Sequence, residues 1–121
     1  MDDFSALIGR EVEQVWVWWS LRLVFDLGGS DEPGSYVDLT NFRFTDAAGV
    51  PTEIRVEEDP RTAGPVLGLL RRRVAEARVR DRELFLAFAT GECIVCPPHP
   101  HFEAWAAILP GGAQHFCPPG Y

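Results

Sequence analysis

Apolar and polar residues alternate along most of this chain, which is the period of a half-buried β-strand. Over 11–19 the residues Val12, Val15, Trp16, Val17, Trp18 and Trp19 are β-branched or aromatic, and Leu21, Leu23, Phe25 and Leu27 then alternate with Arg22, Val24 and Asp26. The pattern predicts two strands of a hairpin that turns near Trp19-Ser20. Strand character returns over 36–39 and 41–45, Asp46-Ala47-Ala48-Gly49 reads as a turn, and 54–56 as a short extended segment. Further strands are predicted over 74–80, 83–89 and 92–96. A closing pair over 102–109 and 113–117 flanks Pro110-Gly111-Gly112. The stretch 28–35 has turn formers and little to bury, and reads as a mobile loop.

Two segments depart from this period. Residues 2–8 suit one or two helical turns, with Asp2 or Asp3 at the N-terminal end and Gly9 as the stop. After the acidic run Glu57-Glu58-Asp59, Thr62 is placed to cap a helix and Pro65 falls in an early turn that tolerates it. Val66, Leu69 and Leu70 then share a face, which predicts a helix over 60–72.

The two halves of the pattern resemble each other. With Leu7 placed on Leu69, Val12 meets Val74, Val15 meets Ala77 and Val17 meets Val79. After a one-residue gap at the turn, Leu21, Leu23 and Phe25 meet Leu84, Leu86 and Phe88. The expectation is a single domain over 1–121 of mainly β (α+β) class. It consists of two pseudo-repeated antiparallel β-meanders, over 7–56 and 66–117, with one short helix between them, packed as a sandwich or roll.

Composition narrows the chemistry. A chain of 121 residues is long enough for one core. Its formal net charge of −7 opposes general binding to nucleic acid or anionic membranes and favours a basic partner. All 11 basic residues are arginine, which excludes lysine Schiff-base chemistry and a P-loop lysine. The opening Met1-Asp2-Asp3-Phe4 leads into no long apolar run, so neither a secretory signal nor a membrane helix is expected, and the cytoplasm is the expected location. Cys93, Cys96 and Cys117 are odd in number, which favours reduced thiols over a disulfide framework.

Few residues carry catalytic spacing. Cys93-x-x-Cys96 followed by His99 and His101, with His115 and Cys117 beyond, offers the soft donors that tetrahedral zinc prefers, although Cys93 and Cys96 point to opposite faces if 92–96 is a strand. His115 and Cys117 share a strand face without forming a reactive pair by that alone, and packing is the simpler role for Cys117. The acidic runs read as solvated faces. Position says more. If Val12, Val15 and Val17 face inward, Trp16 and Trp18 face outward, and their counterparts in the second half are Arg78 and Arg80. Such an aromatic and guanidinium surface has the composition enriched at protein interfaces. A bulge at Val12-Glu13-Gln14 is the alternative, and it would turn Trp16 and Trp18 into the core. Trp105 reads as a core aromatic.

Leu7-Ile8-Gly9 with Val12, Val15 and Val17, Leu69-Leu70 with Val74, Pro97-Pro98, Phe102-Glu103-Ala104-Trp105, Pro110-Gly111-Gly112 and Cys117-Pro118-Pro119-Gly120 together resemble a small bacterial domain family of unknown function, mainly actinobacterial. The resemblance covers most of the chain. It implies no activity, and it is set against the metal reading, because the family positions of His99 and His101 often hold non-ligand residues. The size and acidity are also similar to those of immunity proteins that neutralise a toxin.

The function expected from these features is noncatalytic binding of a protein partner, of an immunity or regulatory kind, through Trp16, Trp18, Arg78 and Arg80, with no cofactor. Two alternatives stand beside it. One is a small-molecule binder or enzyme with a pocket between the meanders lined by Trp105 and His115. The other is a zinc protein that uses Cys93, Cys96, His99 and His101.

Overall fold

A computed structural model describes residues 3–28 and 34–120. Most of the loop expected over 28–35 therefore lies outside the described residues. Among those described, ten strands form: β1 (Gln14–Val17), β2 (Leu21–Asp26), β3 (Ser35–Leu39), β4 (Asn41–Thr45), β5 (Pro51–Arg55), β6 (Val74–Arg80), β7 (Glu83–Phe88), β8 (Cys93–Cys96), β9 (Trp105–Ile108) and β10 (Gln114–Phe116). They build two antiparallel five-stranded sheets, mainly β as expected. Sheet 1 runs β1-β2-β3-β9-β10 and sheet 2 runs β5-β4-β8-β7-β6.

Alternation decides which side chains enter the core. Leu21, Leu23, Val37, Leu39, Trp105 and Ala107 from sheet 1 meet Phe42, Phe44, Ile54, Leu84, Leu86 and Ile94 from sheet 2 in one buried cluster, so the sheets face each other as a sandwich. Burying the row removes several large apolar side chains from water, each worth about 1.5–3 kcal/mol.

The chain route was not legible from the pattern. Each half supplies three strands to one sheet and then sends its last two to the other. Adding five to the numbers of β1, β2 and β3 and subtracting five from those of β9 and β10 gives 6-7-8-4-5, the order of sheet 2 read from its other edge. The crossing takes a single residue, Thr40, between β3 and β4, but eight residues, 97–104, between β8 and β9.

Registers repeat in the same way. Val15 faces Leu23 and Val17 faces Leu21, as Ala77 faces Leu86 and Val79 faces Leu84. The backbone between the halves pairs reciprocally: Gly9 N–H donates to Val74 O and Arg71 N–H to Val12 O, while Val12 N–H donates to Arg72 O and Val74 N–H to Arg10 O. At the centre of this pairing Glu11 bridges Arg73, and their side chains approach to 3.8 Å.

The register shifts between Val74 and Glu76, and another shift lies on β2 between Val24 and Asp26. Val12 and Val15 both turn toward the core although three residues apart, as do Val74 and Ala77. An irregularity near Glu13 thus exists, and it leaves the tryptophans outside. Val17, expected inside, is exposed because it ends a short edge strand.

The helix prediction needs correction. Pro60–Leu69 is a 3-10 helix, not an α-helix to residue 72, and its N-cap is Asp59, whose carboxylate accepts from Arg61 N–H at 3.0 Å. Its buried residues, Ala63, Val66 and Leu69, are spaced by three, the 3-10 period, so Leu70 falls outside the buried face. Thr62 instead donates its hydroxyl to Asp59 O and accepts from Arg55 N–H. Asp3–Leu7 is a second 3-10 turn, followed by Gly9 at φ +87°.

Candidate interaction surface

On β2, Arg22 lies between Leu21 and Leu23, both fully buried, so its side chain rises from the outer face of sheet 1. Its cross-strand neighbours are Trp16 on one side and Asp38 on the other. Asp38 accepts two hydrogen bonds from the guanidinium, from Nε at 2.7 Å and Nη2 at 2.9 Å. The guanidinium carbon then sits 3.7 Å from the centre of the Tyr36 ring and 5.4 Å from both Trp16 and Trp18. Stacking and pairing of this kind suit a planar, weakly hydrated cation. Hydrogen bonding to Asp38, opposed in part by burial, raises the Arg22 pKa above its ordinary value.

Trp16 and Trp18 are 41% and 43% exposed, and Trp19, in the β1–β2 turn, is 73% exposed. Trp16 also donates its indole N–H to Gln14 Oε1 at 2.7 Å. Phe116 on β10 is a further exposed aromatic of this sheet.

The structure does not bring Arg78 and Arg80 to these tryptophans. They lie on β6 of sheet 2, where Arg78 stacks over Phe85 at 4.2 Å and pairs with Glu76 at 2.6 Å. The Arg78–Phe85 pair occupies the register position that Trp16–Arg22 occupies on sheet 1, with ring and cation exchanged. Among the arginines at 71–73, Arg72 pairs with Glu92 at 3.7 Å and Arg73 with Glu11, so two of the three are engaged internally.

The four candidate metal residues are not gathered either. Cys96 is buried and its single thiol proton is shared between Asn41 O and Ala104 O, both 3.4 Å from the sulfur, whereas Cys93 lies on the other face of β8. Burial pushes the Cys96 thiol far above its ordinary pKa. His99 stacks on Phe102 at 3.5 Å, and its Nδ1 accepts from His101 N–H at 3.0 Å. Among the described residues no group of three or more His, Cys, Asp or Glu side chains is placed to hold a metal ion.

Trp105 is buried against Phe4, and its indole N–H donates to Arg82 O at 3.0 Å. His115 packs its ring near Phe4 at 5.3 Å, and Cys117 is buried. Trp105 and His115 line different hollows, not a shared one between the sheets.

Two hollows open where the chain crosses between sheets. One, of about 480 Å³, is bounded by Trp19, Asp38, Thr40, Glu57, Glu103 and Trp105. The other, of about 310 Å³, is bounded by Arg43, Glu53, Arg55, Glu83 and His99 among others, and Phe102 touches both. Sequence reasoning missed Trp19, Arg22, Glu57 and Glu103 as parts of one surface. A polar residue between two inward leucines, as in Leu21-Arg22-Leu23, was the available signal for Arg22.

Among the described residues no helix is long and apolar enough to cross a membrane. Neither a curated protein nor a solved structure matches the chain. The profile of a family described as "Family of unknown function (DUF6188)" matches residues 4–120, nearly the whole sandwich. By that match the chain belongs to DUF6188, a family of unknown function.

Proposed function

We propose that this chain is a noncatalytic binding protein, a single domain with an internal repeat over 7–56 and 66–117, that docks a protein partner on the outer face of sheet 1. The observation that carries the reading is the layer of Trp16, Arg22, Trp18 and Tyr36, tied by Asp38 and bordered by the exposed Trp19. Large rigid aromatics with an ordered arginine supply contact area at low entropy cost, the make-up of interface hot spots. The net charge of −7 favours a basic partner and fast electrostatic encounter with it. An immunity-type or regulatory protein of the bacterial cytoplasm fits this description, and three free cysteines suit a reducing compartment. Arg78 and Arg80 form a separate face on sheet 2.

The test is capture from host lysate with the native chain and with Trp16→Ser/Trp18→Ser in parallel, at a temperature where circular dichroism shows both folded. A basic protein retained in stoichiometric amount by the native chain and lost by the variant is the expected result. Equal retention by both, or no partner, overturns the reading.

A further inference from the structure

The hollow beside Trp19 is lined by two indoles, two hydroxyl side chains and three carboxylates, and no cation is among its lining residues. Asp38 is already satisfied by Arg22. Glu57 and Glu103 are exposed and take part in no ion pair among the described residues. The hollow at the corresponding place on sheet 2 differs. There Arg43 stands opposite Val95, where Ala106 stands opposite Asp38 on sheet 1, and the carboxylates of Glu53 and Glu83 are matched within the chain by Arg43, which pairs with Glu53 at 2.8 Å, and by Arg55.

The face also shows how a guanidinium settles on it. Arg22 lies against Trp16, Trp18 and Tyr36 with its edge on a carboxylate. Next to it, Trp19 with Glu57 and Glu103 repeats those components, an indole and carboxylates, with no guanidinium among the residues lining that hollow; Arg55 lies with Glu57 along an adjoining hollow.

From this we infer that the Trp19 hollow receives an arginine side chain presented by a basic protein partner, its plane against the indole and its N–H groups on Glu57 and Glu103. The inference rests on the reading of this sheet face as the docking surface. Arginine suits the site better than lysine because a flat, weakly hydrated cation gains from stacking as well as pairing, whereas an ammonium must give up a tighter hydration shell. The protein's negative charge adds long-range attraction but selects neither the hollow nor arginine, so the test separates the two contributions.

Capped hexa-arginine and hexalysine peptides are titrated into the full chain at low and at physiological ionic strength, with tryptophan fluorescence as the readout. Hexa-arginine is expected to bind saturably and more tightly than hexalysine. Glu57→Gln/Glu103→Gln weakens it about fivefold or more, and Trp19→Ser reduces the fluorescence response. Glu13→Gln/Asp81→Asn removes the same amount of charge elsewhere and changes affinity by less than about twofold. Equal weakening by the two double variants, equal binding of hexalysine, or no binding at low ionic strength overturns the inference. With the captured partner, loss in Trp16→Ser/Trp18→Ser but full binding in Glu57→Gln/Glu103→Gln keeps the docking face and removes the arginine hollow. Full binding in the tryptophan variant removes the face itself.

Discussion

Trp16→Ser and Trp19→Ser make a graded pair, because one indole lies on β1 and the other in the β1–β2 turn, and they differ in exposure, 41% against 73%. A fully extended tryptophan offers roughly 250 Å², so Trp16 keeps about 150 Å² from water and Trp19 about 70 Å². At about 25 cal/mol per Å² these areas give upper values near 3.7 and 1.7 kcal/mol, and a compact unfolded chain lowers them to about 2–3 and about 1–1.5 kcal/mol. Trp16→Ser also strips one ring from Arg22, worth roughly 0.5 kcal/mol at a partly exposed site. Urea unfolding with a shared m-value reads the difference directly. The midpoint of thermal unfolding is expected to fall by about 3–5 °C per kcal/mol for a domain of this size. If Trp16→Ser proves as mild as Trp19→Ser, the indole layer over Arg22 contributes nothing to stability and its description as a packed layer fails. A double replacement of Trp16 and Trp18 removes several kcal/mol, a large share of an ordinary folding free energy of about 5–15 kcal/mol, so folding must be verified beside each binding measurement.

The other predictions concern single groups. The Asp59 carboxyl is held below its ordinary value by the Arg61 side chain and then by the Arg61 backbone N–H, so its contribution is complete above 3.8 and is lost as pH falls through the lower folded value. Asp59→Ala should therefore separate from the native chain in urea midpoint at neutral pH and converge with it in strong acid, and a constant gap would refute this. Cys93, half-buried, should react with a disulfide-type thiol reagent well before Cys96 and Cys117, and rapid modification of Cys96 in the native fold would contradict its burial. Gly34→Ala drives a Cβ into the Asp26 carbonyl and Leu27 backbone and should destabilise by more than about 1 kcal/mol, whereas Gly68→Ala meets open space and should stabilise by about 0.4–1 kcal/mol. Equal urea midpoints for the two glycine variants would refute that contrast.

Much of the local structure was readable because alternation survives wherever one face is buried. Leu21, Leu23 and Phe25, and again Leu84, Leu86 and Phe88, announce both the strands and the inward face. The 3-10 helix was misread because Val66 and Leu69 fit either helical period, and only the burial of Ala63 with exposure of Leu70 separates three from 3.6. The first exchange of strands left no trace, since Thr40 turns the chain from one sheet to the other without a glycine or proline to mark it, whereas the second runs through Pro97, Pro98 and Pro100. For the same reason Trp16 and Arg78, equivalent along the chain, could be placed on outward positions but not on different sheets. Glu57 and Glu103, 46 residues apart in sequence, meet at one hollow only through that crossing.

The exchange also shapes how the protein is made. Hairpins such as β1–β2 and β6–β7 form from neighbouring residues within microseconds, but β3 finds its second partner only in β9, which joins Leu39 to Trp105. High contact order of this kind places folding in the millisecond-to-second range. On the ribosome, adding the intervening residues takes roughly 3–13 seconds at about 5–20 residues per second, and through that interval one side of β3 has no strand beside it. Nascent chains translated side by side thus carry the same open edge at the same time, and cross-pairing between them is the characteristic misfolding hazard of this architecture.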